Sequence, residues 1–241
     1  MYLSRIELDA RLRETQRALS SPQIMHAAVQ ACFPREANER SRNLWRIDKL
    51  DGTMYLLLQS REKPDHTHIA QQFCLAGMAW EIHDYEPILS NIKQGQTYRF
   101  RLTANPSHRM KSGNAYKIVS HATIEHQLEW LLGKPAKTGL ELQSDANGSR
   151  SIERLPGKAE KSGFKLYPDE NGNPIVDITQ SENLRFRRGN TAESSMNVEF
   201  IRVTYEGVLQ VTDCEAFVLA MRSGIGREKA YGCGLLTLAG V

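Results

Sequence analysis

The sequence predicts an α+β protein built as two tandem domains with antiparallel sheets. Three observations predict it. The first ~90 residues read strand, helix, strand, strand, helix, strand. The remainder again reads strand, helix, strands, helix, strand. The chain has 241 residues, and two units of ~100 residues each bury enough apolar surface to fold. The β-α-β-β-α-β order is that of the ferredoxin-like, or RRM-like, fold. The expected division is residues 1–92 and residues 93–241. The second unit is expected to hold an irregular excursion over 133–182 and a glycine-rich loop over 223–235.

Each element has a local reason. Residues 2 to 9 alternate apolar and polar, as a half-buried strand does. Ser20-Ser21-Pro22 is a helix-start signal, followed by Ile24, Ala27, Ala28, Ala31 and Cys32 at helical spacing. Phe33-Pro34 ends that helix, because proline cannot continue it without losing a hydrogen bond. Leu44 to Leu50 and Thr53 to Ser60 are strand-like and flank Asp51-Gly52, a two-residue hairpin signal. His68 to Leu75 reads as a helix, and Met78 to Tyr85 and Thr97 to Thr103 as strands. Further on, Glu125 to Leu132 is helix-like. Residues 133 to 182 hold much of the Gly, Pro, Ser and Asn, which marks loops around short strands. Leu184 to Arg188 and Asn197 to Val211 are strand-like, with a turn expected at Glu206-Gly207. Thr212 or Asp213 caps a helix running to about Arg222. Leu235 to Ala239 is the closing strand.

Composition excludes several classes. Apolar residues are 40% and charged residues 24% of the chain, ordinary globular values that argue against disorder. No window approaches ~18 consecutive apolar residues, so no membrane span is expected. The opening Met1-Tyr2-Leu3-Ser4-Arg5-Ile6-Glu7-Leu8-Asp9 carries charges where a secretion signal has its apolar core, so a cytoplasmic location is expected. Cys32, Cys74, Cys214 and Cys233 form no CxxC pair for zinc. Cys32 and Cys74 lie among apolar residues and read as buried thiols.

The formal net charge is only +3, but it is unevenly distributed. From Pro87 to Ile124 there is no Asp or Glu, while Lys93, Arg99, Arg101, Arg109, Lys111 and Lys117 all fall there. A second basic cluster is Arg185, Arg187 and Arg188, and a third is Arg222, Arg227 and Lys229. Most charge runs are solvated faces. Gathered on one surface, however, such residues form a phosphate-binding stripe even in a near-neutral protein.

The third cluster sits in Ser223-Gly224-Ile225-Gly226-Arg227-Glu228-Lys229-Ala230-Tyr231-Gly232-Cys233-Gly234-Leu235-Leu236. This is not a Walker loop, which ends in Gly-Lys-Ser/Thr. Nor is it the dinucleotide fingerprint, because its glycines follow a helix and lead into a strand. A tight helix-to-strand connection explains the glycines alone. Together with Arg227 and Lys229, the amides around Gly224, Gly226, Gly232 and Gly234 form a candidate phosphate cradle.

Closing a ferredoxin-like domain, this loop resembles the glycine-rich loop of the repeat-associated (RAMP) superfamily of CRISPR proteins. The opening MYLSRIELD, the helix with His26 followed by Phe33-Pro34, Leu57-Leu58-Gln59-Ser60, Phe100 to Pro106 and Tyr205 to Leu209 together resemble the CasE family. The likeness runs from Met1 to Val241 and is weakest over 133–182. It implies a precursor-CRISPR-RNA endoribonuclease of type I-E Cascade complexes. The implied partners are the CRISPR repeat stem-loop, the mature guide RNA and other Cascade subunits, with no membrane and no cofactor. The free protein is expected to be a monomer.

The resemblance also assigns the chemistry. It implies that His26 serves metal-independent cleavage, in which the ribose 2′-OH attacks the adjacent phosphate. Imidazole suits either the base or the acid role, since its pKa lies near neutrality. Without the resemblance, a lone helical histidine reads as structural or merely exposed. This chain departs from the family pattern at two places. Gln23 stands where family members can carry a tyrosine one turn before the histidine, and Ala31 where a basic residue can follow it. Gln donates hydrogen bonds but transfers no proton. Arg35, Arg40, Arg42 or Tyr2 are the expected helpers. Arg109, Lys111, Lys117, Arg185, Arg187, Arg188, Arg227 and Lys229, with Arg35, are the expected RNA contacts. His66 and His68 form an HxH pair with no third ligand at useful spacing, so no metal site is expected.

Two other readings compete. One is a catalytically weak or inactive RNA-binding subunit of Cascade, supported by Gln23. The other is a generic RRM-like protein stacking bases on sheet aromatics. For that role the first domain offers only Tyr2, Trp45 and Tyr55, without a recognisable aromatic signature.

Overall fold

The computed structural model describes residues 1–34, 43–75, 80–113, 115–135, 143–144, 150–151, 154–189 and 196–241. Arg35, Arg40 and Arg42 lie outside the described residues.

The N-terminal half begins with β1 (Tyr2–Leu8), α1 (Arg13–Ser20) and α2 (Pro22–Ala31). It continues with β2 (Leu44–Leu50), β3 (Thr53–Ser60), α3 (Thr67–Phe73) and β4 (Trp80–Asp84). The strands form one antiparallel sheet in the order β2-β3-β1-β4, the ferredoxin-like order. The predicted hairpin is present: Asp51 and Gly52 take φ of 49° and 83° between paired Leu50 and Thr53. Both central residues are left-handed, as this two-residue connection requires. The core beneath the sheet gathers Ile6, Leu8, Met25, Val29, Trp45, Leu56, Leu58, Ile69 and Phe73. Cys32 and Cys74 are free thiols buried within it. Burial pushes the Cys32 thiol up to about 12, so it stays protonated and unreactive at neutral pH. α1 is not among the expected elements; it is polar in composition and buries only Thr15 and Ala18.

The chain then crosses to the second half through α4 (Glu86–Ser90). Tyr85, Leu89 and Ile92 pack into the second core, with Leu102, Phe164, Tyr205, Phe217 and Met221. The elements that follow are β5 (Thr97–Ala104), β6 (Ser107–Ser112), β7 (Ala115–Ser120) and α5 (Ile124–Leu132). Next come the short pieces β8 (Gly133–Pro135), β9 (Gln143–Ser144), β10 (Arg150–Ser151), β11 (Arg154–Pro156) and α6 (Lys158–Lys161). The half closes with β12 (Phe164–Leu166), β13 (Val176–Arg188), β14 (Met196–Val211), α7 (Cys214–Ser223) and β15 (Leu236–Ala239). Its sheet runs β12-β14-β5-β15. β12 and β13 follow one another along one edge of β14, opposite Leu209–Val211 and Met196–Gly207 respectively. They share the place of a single second strand, so the ferredoxin-like order recurs. Asp213 caps α7, its Oδ1 accepting from the Ala216 amide at 3.0 Å.

Two expectations are corrected here. Glu206-Gly207 is not a turn: β14 passes straight through it. A Cβ on Gly207 would lie 2.2 Å from the Ile175 carbonyl oxygen, so the glycine admits the neighbouring chain at the sheet edge. The excursion over 133–182 also ends earlier than expected, because β13 already starts at Val176. Its first residues alternate, with Val176 and Ile178 half-buried between exposed Asp177 and Thr179, before the polar, exposed residues 179–181 interrupt the pattern.

The two sheets are joined by Arg46 on β2, whose side chain is 3% exposed. Its guanidinium holds Asp48 through Nε at 2.7 Å and Nη2 at 2.8 Å. It also donates to the Arg101 carbonyl at 3.0 Å, the Leu235 carbonyl at 3.1 Å and Thr237 Oγ1 at 2.8 Å. Nearby, Gln59 Nε2 donates to the Met221 carbonyl at 2.7 Å. Gln59 therefore holds the end of α7, and the buried Arg46 fork holds the chain where it re-enters the sheet at Leu235 and Thr237.

Candidate active site

Helix α2 presents two faces. Met25, Ala28 and Val29 anchor it on the first core. Gln23, His26 and Gln30 follow an i, i+3, i+7 spacing and share the other face. Opposite them lies the glycine-rich loop, which leaves α7 and makes a short 3₁₀ turn at Lys229–Tyr231. The Trp45 indole Nε1 donates to the Ala230 carbonyl at 3.1 Å and holds that turn against β2. Gly224, Gly226, Gly232 and Gly234 all take positive φ, between 77° and 93°. Gly232 shows why glycine is needed: its φ is 81°, and an added Cβ would meet the Trp45 ring at 2.9 Å. Any L side chain there would be strained and would displace the tryptophan.

Helix and loop, with Arg188 of β13, form a pocket lined by Gln23, His26, Gln30, Arg188, Arg227, Glu228, Lys229 and Tyr231. The His26 and Tyr231 rings meet edge to face, 5.8 Å between centroids. Tyr231 is only 5% exposed and also packs on Phe186 at 4.8 Å. Its hydroxyl donates to Gln23 Oε1 at 3.3 Å. Lys229 Nζ donates to the Ser223 carbonyl at 2.7 Å.

The electrostatics follow from burial and from the arginines. Partial burial, and then the positive charge of Arg188, hold His26 below the usual histidine range. The imidazole is thus neutral at pH 7 in the free protein and able to accept a proton. Burial raises the Tyr231 phenol, so it is a donor at neutral pH. Glu228 is raised by burial and lowered by Arg227 and Arg188. Its φ of 56° is rare for a residue with a side chain, and such strain clusters at functional sites.

The expected site residues are only partly brought together. His26, Arg188, Arg227, Lys229 and Gly226 converge on one pocket, whereas Arg185, Arg187, Arg109, Lys111 and Lys117 lie elsewhere. Gly224, Gly232 and Gly234 shape the loop instead, the Gly224 and Gly234 amides donating to the Ala220 and Thr103 carbonyls. On β13 successive side chains alternate, so Arg185 and Arg187 share the face opposite Arg188. Arg185 is paired with Glu199 at 2.8 Å. The hairpin β6–β7 carries Arg109, Lys111 and Lys117 at its exposed tip. Its register places Arg109 and Lys111 on one face and Lys117, opposite Met110, on the other. Arg109 stacks over the Tyr116 ring at 4.1 Å. The acid-free interval does not make one continuous stripe. Arg101 within it is matched by Asp48 at 3.3 Å and Glu206 at 2.8 Å.

Tyr2 is not the tyrosine beside His26. It pairs across the sheet with Ser60 and Asp84, and Tyr231 occupies the place by the histidine. Sequence reading misses Tyr231, Glu228 and Gln30. The one available signal for Tyr231 is its position inside the glycine motif. Nor is Trp45 a base-stacking platform, since it is 2% exposed. Among the described residues, no group of three or more His, Cys, Asp or Glu is placed to hold a metal ion. No helix among them is long and apolar enough to cross a membrane.

Fold and site together define a tandem ferredoxin-like protein whose C-terminal glycine-rich loop closes on a helix-borne histidine. The family model for CRISPR-associated proteins matches residues 1–240, and the chain belongs to that family. It is 29% identical over 243 residues to the CRISPR-associated endoribonuclease Cse3 of Thermus thermophilus, covering 99% of this chain and 100% of that one. Among solved structures it is similar to CRISPR endoribonuclease Cse3 bound to a 19-nucleotide RNA. That match has a TM-score of 0.74 and 28% identity, over 99% of this chain and 100% of the other. A second is Thermus thermophilus Cse3 bound to an RNA representing a pre-cleavage complex. Its TM-score is 0.72 and its identity 26%, over 99% and 98% of the two chains. The family resemblance and fold class expected from the sequence are both borne out.

Proposed function

We propose that this chain is a metal-independent endoribonuclease that binds CRISPR repeat stem-loops and cleaves precursor CRISPR RNA. The mature guide RNA stays bound for Cascade assembly. Residues 1–92 and 93–241 are its two domains, and the scissile phosphate enters between α2 and the glycine-rich loop. The observation that carries this reading is His26 sharing one pocket with Arg188, Arg227 and Lys229.

The chemistry needs only these groups. Neutral His26 accepts the proton of the ribose 2′-OH as that oxygen attacks the adjacent phosphorus. The bond to the 5′ oxygen breaks, and that oxygen takes up a proton from water. The products are a 2′,3′-cyclic phosphate and a 5′-OH end. Arg188 and Arg227 offset the charge that builds on the non-bridging oxygens. Arg187 and the exposed hairpin residues Arg109, Lys111 and Lys117 bind backbone phosphates of the stem. Double-stranded RNA offers shape and phosphates there, because its major groove is closed to side chains.

Incubating the protein with its cognate repeat RNA in EDTA tests the proposal. Cleavage should continue and leave cyclic-phosphate ends. Ends bearing a 3′-OH, or cleavage restored only by added Mg²⁺, would contradict it. A second reading is favoured by Gln23 and Ala31, neither of which is an acid, a base or a cation. In that reading the chain is an RNA-binding Cascade subunit with little turnover, and the RNA emerges intact from a tight complex.

A further inference from the structure

The pocket contains a polar pair that the proposed reaction does not yet use. Gln23 on α2 and Tyr231 in the glycine-rich loop are 208 residues apart in sequence, and the Tyr231 hydroxyl donates to Gln23 Oε1 at 3.3 Å. Tyr231 is locked in place. Its ring contacts His26, Phe186 and Phe200 at centroid separations of 5.8, 4.8 and 6.2 Å. Its amide donates to the Glu228 carbonyl at 2.9 Å. With 5% exposure and its hydroxyl engaged, the phenol offers a substrate little surface.

Gln23 is in the opposite situation. It is half-buried and lines the pocket. Its Oε1 is held by the phenol, while its Nε2 has no partner among the described residues. A primary amide carries an acceptor on one side and two donors on the other. Beside a phosphate, only the donor side is stabilising. If the amide rotates by half a turn, it presents lone pairs to an anion and repels it. A hydroxyl that donates to Oε1 selects between these two orientations.

We propose that Gln23, oriented by Tyr231, donates through Nε2 to a non-bridging oxygen of the scissile phosphate, and that Tyr231 is the positioning residue of this pair. The inference rests on the endoribonuclease reading above and adds a group to it. An oriented neutral donor stabilises the phosphorane more than the ground state, because the charge on the non-bridging oxygens grows during attack. It moves no proton, so His26 retains that role. Gln23 thus supplies by hydrogen bonding what an acid or a cation on this helix face would supply by charge.

A double-mutant cycle tests the pair. Single-turnover cleavage of repeat RNA would be measured for wild type, Tyr231→Phe, Gln23→Ala and the double variant. Affinity would be measured separately, on repeat RNA carrying a 2′-deoxy nucleotide at the scissile position. Tyr231→Phe keeps the ring and its packing, and its thermal midpoint should match wild type. Loss of one oxyanion donor typically costs ~10²-fold, the expected effect of Gln23→Ala. Tyr231→Phe, which leaves the amide present but unoriented, should slow cleavage about 10-fold. The double variant should be no slower than Gln23→Ala, with RNA affinity within about twofold throughout. Cleavage by Tyr231→Phe at the wild-type rate would overturn the proposal, as would additive effects in the double variant. Wild-type protein that leaves repeat RNA intact would overturn this inference and the endoribonuclease reading together. A cleaving wild type with no coupling overturns this inference alone.

Discussion

Replacing His26 by Ala should slow single-turnover cleavage of repeat RNA by about 10²–10⁴-fold and leave RNA affinity within a few-fold of wild type. The size follows from the absence of any substitute imidazole in the pocket. His66 is 1% exposed in the first core, with Nδ1 against Cys32 Sγ at 3.7 Å. Burial takes it down to about 4, so it is a neutral packing residue. His108, His121 and His126 form a separate cluster beside β6, β7 and α5, with centroid separations of 4.5 and 5.7 Å. His83 sits by Glu81 on the far edge strand of the first sheet. None of these is among the residues that line the pocket. Affinity should survive because the proposed phosphate contacts are spread over several arginines and lysines. Unchanged cleavage by His26→Ala would remove the histidine from the mechanism.

Replacing Arg46 by Ala should destabilise the protein by about 3–5 kcal/mol. The substitution strands a carboxylate, because the Asp48 side chain is only 6% exposed and keeps just the longer contact to Arg101 at 3.3 Å. It also removes the donor to two backbone carbonyls and to Thr237. At roughly 2–4 °C per kcal/mol for a chain of this size, the midpoint of thermal unfolding should fall by about 6–20 °C. Arg46→Lys should recover little, since an ammonium has no rigid fork to reach Asp48 and both carbonyls at once. A midpoint within about 2 °C of wild type would show that the guanidinium is dispensable. The same fork holds the Leu235 carbonyl just beyond the glycine-rich loop, so cleavage should weaken along with stability.

The parts of the fold that alternate in sequence are legible there. β2 and β3 match their expected limits because two apolar runs flank Asp51-Gly52, whose two-residue turn admits a single register. Helix α2 follows from Pro22 and its apolar spacing. Polar elements are not legible. Helix α1 is polar in composition and buries only a threonine and an alanine, and the hairpin β6–β7 is exposed on both faces, so neither offers the apolar run that marks the other elements. Gly207 shows the reverse error, a turn residue in composition that serves close packing in a strand. The site divides in the same way. The glycine motif and His26 are visible in the chain, His26 through the family likeness. Tyr231 is not, because its role depends on a loop folding back against Gln23. Charge is misleading for a similar reason: Arg101 looks free in an acid-free interval, but Asp48 and Glu206 reach it from other strands.

The most direct test of the account is the structure of this protein bound to repeat RNA with a 2′-deoxy nucleotide at the scissile position. The account predicts the scissile phosphate between α2 and the glycine-rich loop. His26 should face the 2′ position, and Gln23 Nε2 and Arg188 should lie within hydrogen-bond distance of the non-bridging oxygens. A scissile phosphate seated on the β6–β7 hairpin, or anywhere beyond reach of His26, would contradict it.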